Sequence, residues 1–271
     1  MSQLAITRAG GSPDEHVGDP ARAGGSPRWS KLTIALASSF VLNVIALGAV
    51  INIIEGRGGI SYLRGRLLHD THAQVDPGYT QRESLFQAIP RPDGAHPVVF
   101  LGDSLTAGCE WRELFGNRML ILNRGIGGDT SAGVLNRSDE VATLKPRAVF
   151  LMIGTNDPQT VGYAPRDTAQ NYQRIVDKLR TSYPRVRIYL ESLLPTASPK
   201  FNRWSEQVNQ EIQAMANGDS IVYLNLRDRF VENGALGRRF TSDGIHLNGN
   251  GYLLWKEQID PIIEELAKSS D

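Results

Sequence analysis

The sequence predicts an α/β domain built on a parallel sheet with helices on both faces, preceded by one N-terminal transmembrane helix. Three observations lead there. From Val98 onward, short and nearly continuous apolar runs alternate with amphipathic stretches, as buried parallel strands and their covering helices require. A run of 23 residues without a charge, Leu32 to Ile54, stands apart from that pattern. The length of 271 residues with 41% hydrophobic content suits one well-buried domain and a tail, and is cramped for two domains.

Residues 1–31 are rich in Gly, Pro, Ser and charge, and they carry Arg-Ala-Gly-Gly-Ser-Pro twice, from Arg8 and from Arg22. Such a segment buries too little apolar surface to offset its ordering entropy, which predicts a disordered polar tail. As a helix, Leu32 to Ile54 would extend roughly 34 Å at about 1.5 Å per residue, enough to cross a bilayer. The run is longer than the apolar core of a cleaved signal peptide and follows a long polar tail, so an uncleaved anchor is expected. Arg22, Arg28 and Lys31 on one side balance Arg57, Arg64 and Arg66 on the other, and the positive-inside rule is tied. A polar tail before one retained helix fits a signal anchor with the following domain on the extracytoplasmic side. Residues 55–97 read as a linker with Gly and Pro punctuation. It contains one short helix, Tyr79 to Ala88, expected to pack Leu85 and Phe86 on the domain.

Within residues 98–271, five strands are expected at Val98–Leu101, Met119–Leu122, Ala148–Ile153, Arg187–Leu190 and Ile221–Leu224. Helices are expected near Glu110–Phe115, Thr130–Val141, Thr168–Tyr183, Trp204–Met215 and Gly251–Ala267. In the third of them Ala169, Tyr172, Val176 and Leu179 recur at three- and four-residue steps, giving one apolar face. Right-handed crossovers between parallel strands put all strand C-termini on one edge, where a functional site should lie.

Charge is uninformative about partners, since Lys plus Arg and Asp plus Glu both number 29; no global field draws the chain to nucleic acid. Cys109 is the only cysteine, which excludes an internal disulfide and a cysteine-based zinc site within one chain. Its position one turn beyond Ser104 reads as a small core residue.

Chemistry gathers at the strand ends. Gly102-Asp103-Ser104-Leu105-Thr106 follows the first strand. A serine there lies near backbone N–H groups and a helix start, suiting either a nucleophile or a helix cap. Asn123 to Thr130 is a glycine-rich turn after the second strand, able to bring a backbone N–H to an oxyanion, or simply to turn; its spacing fits a dinucleotide fingerprint poorly. Gly154-Thr155-Asn156-Asp157 places an Asn amide after the third strand. Asp243-Gly244-Ile245-His246 puts a carboxylate three residues before a histidine, so that it can accept from one ring nitrogen and leave the other for a serine proton. His16, His69, His72 and His96 all precede these segments without ligand spacing to His246, so no metal is expected.

The four segments together resemble the SGNH subgroup of GDSL esterases and lipases, at Ser104, Gly128, Asn156, and His246 with Asp243. The similarity spans about Val98 to Leu266. Trp111 to Phe115 and Leu193-Leu194-Pro195 are also similar to the platelet-activating-factor acetylhydrolase-like branch. The resemblance implies a flavodoxin-like, three-layer α/β/α sandwich on a five-stranded parallel sheet. It implies an ester hydrolase in which Ser104 attacks, His246 transfers the proton and Asp243 orients His246, with no cofactor. The N–H groups of Ser104 and Gly128 and the Asn156 side chain would hold the oxyanion. Tyr163 and Trp204, after strands three and four, are expected as pocket walls. A short acyl such as acetyl is expected on a small-molecule, glycan or lipid ester, since no long apolar lid segment is visible. The same acyl-serine would serve transfer to a sugar hydroxyl, and an inert carbohydrate- or partner-binding scaffold is the reading from another class.

Overall fold

The computed structural model describes residues 30–56, 77–90 and 94–268. The expected polar tail, apart from its last residues, and most of the expected linker lie outside these residues. The chain divides into two units, up to Val50 and from Ile51 onward.

Helix α1 (Lys31–Gly56) contains the expected apolar run. Over Lys31–Ile51 its mean hydropathy is 2.3, and none of that stretch is buried. A helix apolar all round matches a membrane span or signal sequence in length and composition.

The next described element is α2 (Pro77–Ala88), and a five-stranded sheet follows it. Its strands are β1 (Val98–Gly102), β2 (Ile121–Gly125), β3 (Ala148–Met152), β4 (Arg187–Glu191) and β5 (Ile221–Leu224). All pairings are parallel, in the order β2-β1-β3-β4-β5. The central β1 and β3 are buried at every position, which is why they read as unbroken apolar runs. The direction of winding reverses between β1 and β3, and the loops leaving those two strands part there to open a crevice at their C-terminal ends.

Both faces are covered. On one face Phe100, Phe150 and Tyr189, neighbours in register on β1, β3 and β4, stack at 4.8 and 4.6 Å between ring centroids. Trp111 of α4 (Trp111–Leu114) stacks on Phe100 at 4.1 Å and meets Trp255 of α10 (Gly249–Lys268) edge-on at 4.9 Å. Aromatic pairs of this kind add roughly 0.5–1.5 kcal/mol each beyond the area they bury. On the other face α7 (Pro165–Ser182) packs against both α5 (Ser131–Thr143) and α8 (Pro199–Gln213). Ala169, Tyr172, Val176 and Leu179 form the buried stripe of α7, as their spacing predicted, and Ile175 joins them.

Short elements carry the loops: α3 (Ser104–Ala107), α6 (Asp157–Thr160), α9 (Arg227–Phe230), the hairpin β6 (Val231–Glu232) and β7 (Ala235–Leu236), and a 3₁₀ turn at Arg238–Phe240. Gly125 lets α3 press on the end of β2, since a Cβ there would lie 2.2 Å from the Ala107 backbone nitrogen.

The structure corrects three expectations. Strand β2 begins at Ile121 and runs to Gly125, past the expected end at Leu122. Polar Asn123 is tolerated there because its Nδ2 donates to the carbonyls of Thr106 (3.1 Å) and Cys109 (2.9 Å), while its Oδ1 accepts from the Gly125 N–H at 2.8 Å. Leu85 does not pack on the domain; it is 47% exposed, and Tyr79 and Phe86 are the buried residues of α2. Helix α8 starts at Pro199, well before Trp204, because Ser198 caps it by accepting from the Phe201 N–H at 3.3 Å.

Candidate active site

Ser104 opens α3 directly beyond β1. The preceding residue, Asp103, is fully buried and caps that turn, its Oδ1 accepting from the Leu105 N–H at 3.0 Å. Burial lifts the Asp103 carboxyl to about 7. The Ser104 hydroxyl lies 2.9 Å from His246 Nε2, and His246 Nδ1 lies 2.7 Å from Asp243 Oδ2. An ionised carboxylate only accepts hydrogen bonds, so Nδ1 carries the ring proton and Nε2 faces the serine as an acceptor.

The loop holding Asp243 and His246 is closed by local bonds. Asp243 Oδ1 accepts from the N–H groups of Ile245 (2.9 Å) and His246 (2.8 Å). Thr241 donates its hydroxyl to the His246 carbonyl at 2.6 Å and accepts from the Gly244 N–H at 3.0 Å. The bond from His246, with the two backbone amides behind it, holds the Asp243 carboxyl well below the usual carboxylate range. At Gly244, φ is +84° and a Cβ would lie 2.7 Å from that of Ala197, so the close approach of this loop to the β4–α8 connection requires glycine. The Ala197 N–H donates to the Gly244 carbonyl at 2.8 Å and ties the two together.

Asn156 follows β3, and its Nδ2 donates to the carbonyl of Asp129 at 2.9 Å, bridging the turns after β2 and β3. The amide nitrogen carries two hydrogens, so one remains for a ligand. Gly128 stands in that turn with φ +74°, exposed. Among the described residues neither the Ser104 nor the Gly128 N–H finds an acceptor.

A cleft of about 360 Å³ opens on these groups, lined by Ser104, Asn156, Asp243 and His246 together with Thr155, Gln159, Thr196, Ser198, Phe201 and Ile245. Gly128 is not among its lining residues, nor are Tyr163 and Trp204. Trp204 instead donates from Nε1 to the Tyr163 carbonyl at 3.0 Å and lies 5.7 Å from Phe201, which does line the cleft. Cys109 is buried and its thiol is pushed up to about 12, which leaves it a poor nucleophile. Among the described residues no three His, Cys, Asp or Glu converge as metal ligands.

Behind the site lies a buried polar layer that the sequence reading did not reach. Arg137 donates from Nε to Asp129 Oδ2 at 2.8 Å and from Nη2 to the Gly102 carbonyl at 3.0 Å, joining the glycine-rich turn to the strand that ends at the serine. Asp157 accepts from the Ser131 N–H (2.8 Å) and the Thr168 hydroxyl (2.6 Å), fixing the start of α5 to α7. Burial pushes both carboxyls above their ordinary range, in Asp129 against the pull of Arg137. A signal for Arg137 was present: it sits three residues after Val134 and four before Val141, on the buried stripe of α5.

The description of a GDSL-like lipase/acylhydrolase family fits residues 100–254, more than half of the chain. The chain belongs to that family. Its fold is shared with a GDSL-like lipase from Bacteroides thetaiotaomicron, at 27% identity and a TM-score of 0.58 over 69% of this chain and 98% of the other. A platelet-activating-factor-related protein from Streptococcus pneumonia shares it at 23% identity and a TM-score of 0.61, over 74% and 98%. In sequence the chain is 26% identical over 120 residues to an N-acylneuraminate cytidylyltransferase of Escherichia coli O18:K1:H7, a stretch of 43% of this chain and 28% of that one. An N-acylneuraminate cytidylyltransferase of Streptococcus agalactiae serotype V matches at 24% over 168 residues, 62% of this chain. The chain thus spans between 28% and 39% of the length of these curated relatives.

Proposed function

We propose that the chain cleaves short acyl esters through an acyl-Ser104 intermediate and is anchored by α1. The observation that carries this reading is the hydrogen-bonded line Ser104–His246–Asp243, at 2.9 and 2.7 Å, beside the cleft. Ser104 Oγ attacks the ester carbonyl as His246 Nε2 takes its proton; Asp243 fixes the ring and stabilises its cation. Negative charge on the carbonyl oxygen is met by the N–H groups of Ser104 and Gly128 and by the free Asn156 amide hydrogen. Collapse expels the alcohol, which takes the proton from His246. Water then attacks the acyl-serine with His246 as base, releasing the acid and restoring the serine.

A cleft of modest volume, walled by Phe201 and Ile245 as well as Thr155, Gln159, Thr196 and Ser198, favours a short acyl group over a long chain. The apolar α1 supports a single-pass anchor formed by residues 32–54, with residues 55–97 joining it to the hydrolase domain of residues 98–271; the extracytoplasmic placement of that domain rests on the signal-anchor reading of the sequence alone. The test is hydrolysis of p-nitrophenyl acetate, butyrate and octanoate by the full chain in detergent, with Ser104→Ala alongside. Turnover that falls with acyl length and vanishes in the variant is expected. Equal activity in both proteins would remove Ser104 from the mechanism.

A further inference from the structure

Helix α2 lies before residues 100–254, the stretch that the family model matches. One of its faces is docked on the glycine-rich turn. Tyr79 and Phe86 are buried and form with Ile126 a cluster separate from the main core. Arg82, one turn from each, donates from Nε to the Gly125 carbonyl at 3.3 Å and lies over the Phe86 ring at 5.1 Å. Arg124 lies over the same ring at 4.6 Å and pairs with Glu140 at 3.2 Å. The Tyr79 hydroxyl is buried beside Asp129 and Arg137. Side chains from three successive turns of α2 therefore meet the segment Gly125 to Asp129: Arg82 is bonded to its start, Phe86 packs with Ile126, and the Tyr79 hydroxyl lies next to its end without a hydrogen bond among the described residues.

That segment needs holding. Gly127 and Gly128 are exposed, and a Cβ on either would meet nothing within 4 Å, so the middle of the turn has no packing of its own. Two adjacent glycines have wide conformational freedom, whereas an oxyanion donor works only when fixed before the charge develops. A misplacement of about 1 Å at a reacting centre can cost on the order of 100-fold in rate.

We propose that α2 is a brace for the oxyanion turn, in which Arg82 and Phe86 are positioning residues that act through Gly125 and Ile126 on the Gly128 amide. The inference rests on the oxyanion assignment made above. The experiment uses the full chain in detergent, comparing wild type, the double variant Arg82→Gln/Phe86→Leu, Arg82→Lys, the outward-facing control Leu85→Ser, and Asn156→Ala. The readouts are kcat and KM for p-nitrophenyl acetate and the inhibition constant of methylboronic acid, whose tetrahedral adduct mimics the charged intermediate.

The expected result for the double variant is a kcat at least tenfold lower with KM within twofold, and boronate affinity weakened by the same factor. Arg82→Lys, which keeps a donor and the cation over Phe86, should retain most activity, and Leu85→Ser should match wild type. A double variant with wild-type kcat and boronate affinity overturns the brace if Asn156→Ala is impaired. If Asn156→Ala is itself unimpaired, the underlying oxyanion reading fails instead. Loss spread equally over kcat, boronate affinity and thermal stability, with the same loss in Leu85→Ser, would show a structural role only and also overturn the proposal.

Discussion

Replacing Asn156 by alanine separates two jobs of one amide. One hydrogen of Nδ2 is committed to the Asp129 carbonyl at 2.9 Å. Removing it leaves a carbonyl short of a partner in a part-buried setting, costing about 1 kcal/mol of stability. For a body of this size that is a drop of about 2–4 °C in Tm. The other hydrogen is the side-chain donor assigned to the oxyanion. A single lost donor of this kind costs about 100- to 1000-fold in kcat, or roughly 3–4 kcal/mol of transition-state binding. The donor is aimed at the oxyanion and not at the planar ester, so KM should move little. Steady-state kinetics with p-nitrophenyl acetate and a thermal melt of the same preparation read both effects. A kcat within tenfold of wild type alongside the expected Tm loss would refute the reasoning, since the amide would then be a strut between two turns and nothing more.

Asp243→Asn should keep the loop, because the amide oxygen can still accept from the Ile245 and His246 N–H groups, but its NH2 would drive the ring into the wrong tautomer. A kcat loss of about 10⁴-fold with an unchanged melt is expected, and a loss under tenfold would contradict the assigned role. Stability should also respond to Glu191, which is buried, accepts from Trp255 Nε1 at 2.7 Å and is lifted by burial from 4.5 to about 8. A carboxyl raised in the folded state favours folding fully below its unfolded value and loses that contribution as pH rises towards 8, at about 1.4 kcal/mol per unit. Glu191→Gln should therefore gain in Tm on wild type between pH 5 and pH 8; parallel melting curves across that window would count against it. Asp103, lifted to about 7, acts in the same sense and leaves a residual slope in both proteins.

The parts of this molecule that were legible in its sequence are those where local chemistry and tertiary context agree. Strands β1 and β3 are buried on both faces, so their composition alone marks them. Ser104, Asn156 and His246 could be placed because parallel topology sends every strand end to one edge, whatever the details of packing. Strand β2 was cut short because Asn123 and Arg124 look like turn residues until their partners on other segments are seen. The same holds for Asp129, Arg137 and Asp157, whose bonds span 8 to 35 positions along the chain. On α2 the misplaced Leu85 has a simpler cause: with Leu85 and Phe86 adjacent, only one can face the domain, and the phase is set by Tyr79, two turns back on the same face as Phe86.

The most direct test of the account is to trap the acyl-enzyme. The full chain would be quenched with acid during turnover of p-nitrophenyl acetate and digested, and the acetyl group located by mass spectrometry. The account predicts an acetyl adduct on Ser104 that accumulates with the nitrophenol burst and is absent from Ser104→Ala. Turnover without any adduct at Ser104, or an adduct on another residue that decays at the rate of turnover, would contradict it.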